Sequence, residues 1–133
     1  MLSQDMAQQE WDRFLVSMDL DEKISEKLDD EDAKALENVR SGIMRALRNG
    51  SLVIGNDGEA VFTPRRGENR KPVTFSEPTA GVLTAADRRK EGHNAAKGIA
   101  MLAEWSGENP DRFAKMKASD FAVCMNLFAL FFG

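Results

Sequence analysis

The stretch Ser51–Pro64, "SLVIGNDGEAVFTP", decides the fold class, because it interrupts a helical pattern with two short runs of β-branched and aromatic residues. Those runs flank Gly55-Asn56-Asp57-Gly58, residue types that tolerate the positive φ of a tight turn, so the stretch predicts a β-hairpin. Beyond it, "PRRGENRKP" from Pro64 to Pro72 is polar, glycine-containing and bracketed by prolines, which predicts a mobile loop within one domain. Val73 and Phe75 then alternate as a third strand, and Pro78, which has no N–H to donate to a ladder, ends it.

Toward the N-terminus the period changes to that of a helix. Trp11, Phe14, Leu15 and Met18 fall at i, i+3, i+4 and i+7 behind a capping Ser3, and Leu20, Ile24 and Leu28 continue the spacing. In "DDEDAKALENVRSGIMRALRNG" acids lead, Leu36, Val39, Ile43 and Leu47 form a stripe, Arg45 and Arg48 close the helix, and Gly50 stops it. Toward the C-terminus, Thr79 is expected to cap a helix carrying Val82, Leu83 and Ala86. A helix around His93–Trp105 presents Ala95, Ile99 and Leu102. Asn109-Pro110 reads as a cap with proline at the first helical position before a short helix bearing Phe113 and Met116, and Ser119 is expected to cap the last helix.

Helices, then a small antiparallel sheet of a hairpin plus one strand, then a helical bundle make the chain α+β and mostly helical. We expect one domain over residues 1–133: an acidic helical part (1–50), a small sheet (51–77) with the mobile loop 64–72, and C-terminal helices (78–133).

The net charge of −4 argues against a general phosphate-backbone binder. One cysteine, Cys124, cannot close an internal disulfide, and one histidine, His93, cannot build a zinc cluster, so a reducing cytoplasm, no metal and no cofactor are expected. The N-terminus "MLSQDMAQQEWDRF" has no signal-peptide pattern, and the apolar run Phe121–Phe132 falls short of the ~20 residues that span a bilayer, so no membrane association is expected.

Candidate chemistry reduces to bland readings at most positions. His93 has no partner at a recognisable spacing and reads as a surface or capping residue. Cys124, among Phe121, Val123, Met125 and Phe128, reads as an inert core thiol. The acid-rich "DLDEKISEKLDDEDAKALE" has helical periodicity and no glycine, unlike a calcium loop, and reads as a solvated helix face. Gly55 and Gly58 lack the spacing of a phosphate-cradling loop. Arg65-Arg66, Arg70-Lys71 and Arg88-Arg89-Lys90 are basic, but no aromatic interleaves them for base stacking, and a solvated loop and helix end explain them.

The C-terminus is different. "DFAVCMNLFALFFG" is apolar on nearly every side of a helix, whereas a terminal helix normally keeps one polar face for water. Two readings stay open: a central core helix wrapped by the others, or an apolar patch that joins subunits or binds a partner segment.

Val73-Thr74-Phe75-Ser76-Glu77-Pro78-Thr79, a short alternating strand running into Glu-Pro-Thr and then a helix, resembles the tail assembly chaperones of long-tailed bacteriophages. The ending "GIAMLAEWSGENPDRFAKMKASDFAVCMNLFALFF" is similar to the same family, so the resemblance covers roughly residues 72–132. It implies a non-enzymatic protein that binds the tape measure protein and helps recruit tail tube protein subunits during tail morphogenesis, in the cytoplasm of the bacterial host. Phe121, Leu127, Phe128, Phe131 and Phe132 are then the expected client-binding or oligomer surface, with self-association covering it when no client is present, and Val73, Phe75, Glu77, Pro78 and Thr79 are a structural signature that binds nothing itself. The rival expectation is a small nucleic-acid-binding or regulatory protein using the basic loop 65–71 and the cluster 88–90.

Overall fold

The computed structural model describes residues 2–20, 29–85 and 94–132. Ile24, Leu28, Ala86, the cluster Arg88–Lys90 and His93 lie outside the described residues.

Helix α1 spans Gln4–Ser17 and opens as expected: Ser3 accepts a hydrogen bond from the Met6 N–H at 3.2 Å. Its stripe of Ala7, Trp11, Phe14 and Leu15 is buried. The expected continuation of this helix through Leu20 is corrected. Asp19 takes a left-handed φ of 56°, its N–H reaches Val16 O, and the Leu20 N–H reaches back to Leu15 O at 2.8 Å. That pair of bonds is a Schellman stop, built on an aspartate that tolerates this conformation, and it tucks Leu20 into the core beside Leu15.

Helix α2 spans Asp30–Asn49, with Asp29 accepting from the Asp32 N–H at 2.8 Å, three acids in its first turn, Arg48 in its last, and Gly50 left-handed at φ 84° behind it. The buried stripe is concentrated at its C-terminal end, in Ile43, Met44, Ala46 and Leu47, while Leu36 and Val39 are half-buried.

Strands β1 (Leu52–Ile54), β2 (Ala60–Phe62) and β3 (Val73–Phe75) form one antiparallel sheet in the order β1-β2-β3. The register aligns Leu52 with Phe62 and Val73, and Ile54 with Ala60 and Phe75, so all six side chains enter the core. Val53 and Thr74 stand on the opposite, exposed face. In the hairpin the positive φ falls on Gly58 alone, at 84°; its N–H closes the turn to Gly55 O at 3.0 Å, and a side chain there would collide with Ser17. The loop 64–72 is tied at both ends: the Asp120 carboxylate accepts from the Arg65 and Arg66 N–H groups at 3.1 and 3.0 Å, and the Arg112 guanidinium donates to Lys71 O.

Helix α3 (Gly81–Thr84) corrects a second expectation. Thr79 does not cap it through its side chain; Ala80 holds the cap position, and the turn is closed by backbone bonds from Val82 to Thr79 O and from Leu83 to Ala80 O. Val82 is buried there and Leu83 exposed. Helix α4 spans Asn94–Ser106 and packs through Ala100, Leu102 and Ala103, with Ala95 exposed instead of buried. Helix α5 (Pro110–Ala114) starts on the expected Asn109 cap, which accepts from the Asp111 N–H at 2.9 Å. Helix α6 spans Ala118–Phe132, so Ser119 lies inside its first turn and not at its cap.

The fold is α+β and mostly helical, with the apolar face of a three-stranded sheet covered by helices. Helix α6 lies between α2 and α4; α2 also packs on α1 and β1, and α4 also packs on β3. No helix among the described residues is long and apolar enough to cross a membrane.

Candidate functional site: the aromatic face of the C-terminal helix

Helix α6 is sorted by depth. Asp120, Cys124, Leu127 and Leu130 are buried, and Leu127 is 0% exposed, so it belongs to the core. Phe121, Met125, Phe128 and Phe132 follow at i, i+4, i+7 and i+11 as a half-buried stripe along one side. The two readings of this helix therefore divide along its circumference, with core on one side and a partly uncovered apolar strip on another. Phe131 lies between them, half-buried, its ring edge-on to Phe14 of α1 at 6.3 Å and to Trp105 of α4 at 5.4 Å.

Two residues outside the expected set position this strip. Trp105 packs against Phe75 of β3 at a tilt of 50° with centroids 4.6 Å apart, meets Phe128 at 6.4 Å, and donates its indole N–H to Ser76 O at 2.6 Å. It thus joins the β3 strand to the C-terminal phenylalanines, a role whose signal in the sequence was its place three residues after Leu102 on one helix face. Gly98 is the other: a Cβ there would lie 3.3 Å from the Met125 sulfur and 3.8 Å from Phe121, so its bare backbone lets α4 approach α6 closely. Phe128 and Phe132 meet at a tilt of 40° with ring centroids 4.9 Å apart in the last turns of the helix.

Of the signature residues, Val73 and Phe75 are fully buried, Pro78 is half-buried, and Glu77 and Thr79 are exposed. The polar groups at the base of α6 serve structure. Burial, and secondarily the nearby Asp120 carboxylate, pushes the Cys124 thiol up to about 12, which keeps it protonated near neutrality. No cluster of three or more His, Cys, Asp or Glu side chains suited to a metal ion occurs among the described residues. What α6 offers at its surface is hydrocarbon and aromatic area, which recognises apolar groups by burial.

A family model, that of phage tail assembly chaperone proteins (E, or 41 or 14), matches residues 63–133, more than half of the chain. The chain belongs to this family of phage tail assembly chaperones. Comparison with curated proteins and with solved structures found no match. Membership gives the chain a role in assembling phage tails. The family segment holds β3, Trp105 and the whole aromatic strip, while α1, α2 and the hairpin precede it. Both stretches that carried the resemblance, the Val73–Thr79 signature and the apolar ending, fall inside it.

Proposed function

We propose that this chaperone binds the tape measure protein of a long phage tail, shields its apolar helices from water, and helps bring tail tube subunits to it, acting in the host cytoplasm by binding and not by catalysis. The observation that supports this reading is the half-buried strip Phe121–Met125–Phe128–Phe132 on α6, backed by Trp105 and Phe131. Fully burying one phenylalanine is worth roughly 1.5–3 kcal/mol, so completing the burial of a few partly covered rings supplies enough free energy for a reversible complex with an apolar helix. Self-association covers the same strip when no client is present.

Co-expression with a tape measure fragment tests this. Wild-type protein is expected to retain the fragment, and Phe128→Asp to lose it while keeping its helical circular dichroism. If Phe128→Asp retains the fragment as well as wild type does, the client surface lies elsewhere. Should Phe128→Asp fail to fold, Phe132→Asp at the last turn of α6 carries the same test with less of the core at stake.

A further inference from the structure

A depression of about 420 Å³ opens where α2, α6 and the start of the loop 64–72 meet, and the aromatic strip takes no part in it. Helix α6 lines it with Ser119, Ala122, Val123 and Asn126. At about 100° per residue those positions lie roughly 140° around the helix from Phe121, Met125, Phe128 and Phe132. One helix thus carries hydrocarbon on one side and borders this depression on the other.

Three arginines line the rest of it, Arg45 from α2 and Arg65 and Arg66 from the loop. Arg45 also lines a neighbouring depression on α2 together with Arg48, one helical turn on. All four arginines are exposed. The ion pairs among the described residues are Arg13–Glu10, Arg40–Glu37 and Arg112–Glu108, so none of the four has a carboxylate partner there. The carboxylate in the depression itself, Asp120, is 3% exposed and accepts from the backbone N–H groups of Arg65 and Arg66 at 3.1 and 3.0 Å. It therefore holds both arginines in place by their backbone and leaves their guanidinium groups unpaired. Like charges gathered in this way repel one another, and an anionic partner relieves that repulsion as it binds. The cluster is positive on a chain whose net charge is −4.

Its chemistry fits carboxylates spaced along a protein segment. A guanidinium takes a carboxylate through two parallel N–H···O bonds, and four exposed guanidinium groups spread over two depressions suit several carboxylates better than one small ion. A nucleic-acid strand, whose charge is continuous, fits less well: Glu37 borders the cluster on α2, and Glu68, Glu108 and Asp111 lie beyond Arg66. No aromatic side chain lines any of these depressions for base stacking. We propose that Arg45, Arg48, Arg65 and Arg66 receive an acidic segment of a protein other than this chain, on the side of α6 away from the aromatic strip. An apolar client on the strip and an acidic partner on this cluster can then be held at the same time.

Fluorescence anisotropy with a labelled peptide made of glutamate and alanine tests this. Wild type is expected to bind the peptide at low ionic strength and to release it near 1 M salt, where the screening length falls to about 3 Å. Arg45→Glu/Arg65→Glu is expected to bind about tenfold more weakly or worse with wild-type circular dichroism, whereas Lys115→Glu/Lys117→Glu, an equal change of charge outside the cluster, binds as wild type does. Equal loss in the two variants means that net charge alone drives binding and overturns the proposal, as does a wild type that ignores the peptide at low salt. An oligonucleotide of the same total charge is expected to bind more weakly; tighter binding overturns the proposal and assigns the cluster to nucleic acid. Displacement of the peptide by inorganic phosphate at constant ionic strength overturns it and assigns the cluster to a small anion. Self-association of wild type that Arg45→Glu/Arg65→Glu abolishes overturns it as well, in favour of a second copy. Should Arg45→Glu/Arg65→Glu fail to fold, Arg45→Gln/Arg65→Gln, which only neutralises, is expected to weaken binding about threefold or more, and unchanged binding overturns the proposal. Because the peptide has no large apolar side chain, every one of these results leaves the aromatic-strip reading to its own test.

Discussion

Cys124 and Asp120, one helical turn apart on α6, show how two buried groups of opposite chemistry are held in one core. The carboxylate is satisfied by the two backbone N–H groups of Arg65 and Arg66, so its burial fixes where the loop leaves the sheet. The thiol has apolar surroundings instead, and burial raises it from 9.0 to about 12. A thiol that ionises more readily in the unfolded chain draws protons off the unfolded state first. Its contribution to stability is therefore complete below pH 9.0 and is lost as pH rises toward about 12, at a slope near 1.4 kcal/mol per pH unit. We expect urea titrations between pH 8 and 10.5 to show a steeper alkaline loss for wild type than for Cys124→Ala. Parallel alkaline limbs in the two proteins would mean that the thiol titrates alike in both states.

At the scale of elements, the close approach of α4 to α6 depends on Gly98, whose missing side chain admits Met125 and Phe121. A single methyl presses only on the flexible end of Met125, which must give by a few tenths of an ångström, and meets Phe121 at ordinary contact distance; alanine is also the better helix former, so Gly98→Ala is expected to be neutral or to stabilise by up to about 1 kcal/mol. Gly98→Leu has no such room and is expected to cost about 1–3 kcal/mol in urea unfolding by forcing α6 away from α4. Equal stability of the alanine and leucine variants would show that the two helices are not in tight contact. Elements with a local signature were legible in the sequence: the Ser3 and Asn109 caps, the acids that lead α2, the Gly50 stop, and the alternation of Val73 and Phe75. What escaped were features set by tertiary contact. The Schellman stop at Asp19 escaped because aspartate seldom marks one, and the closure of α3 by backbone alone left the Thr79 side chain without the role its type suggests. The candidate strip was legible as an apolar helix, but which of its residues are core depends on where α2 and α4 pack, and that put Leu127 inside and Phe128 at the margin.

For the whole molecule, an unbroken relay of rings runs from the sheet to the first helix: Phe75, Trp105, Phe131, Phe14. It ties the segment matched by the family model to α1, which precedes that segment, so the aromatic strip rests on a scaffold drawn from both halves of the chain. The two tryptophans, of which only Trp105 belongs to the relay, sit in unlike settings. Trp11 is 3% exposed in the core, and Trp105 is half-buried under Phe128. In a Trp11→Phe variant the remaining indole emits from beneath the strip, so any apolar segment laid across Phe128 strips water from it. Its fluorescence is then expected to shift to shorter wavelength on adding a tape measure fragment, with no shift in the same variant carrying Phe128→Asp; an unmoved spectrum on saturation would mean that the fragment docks elsewhere. The residue that braces the strip is in this way a built-in optical gauge of whether the strip is covered.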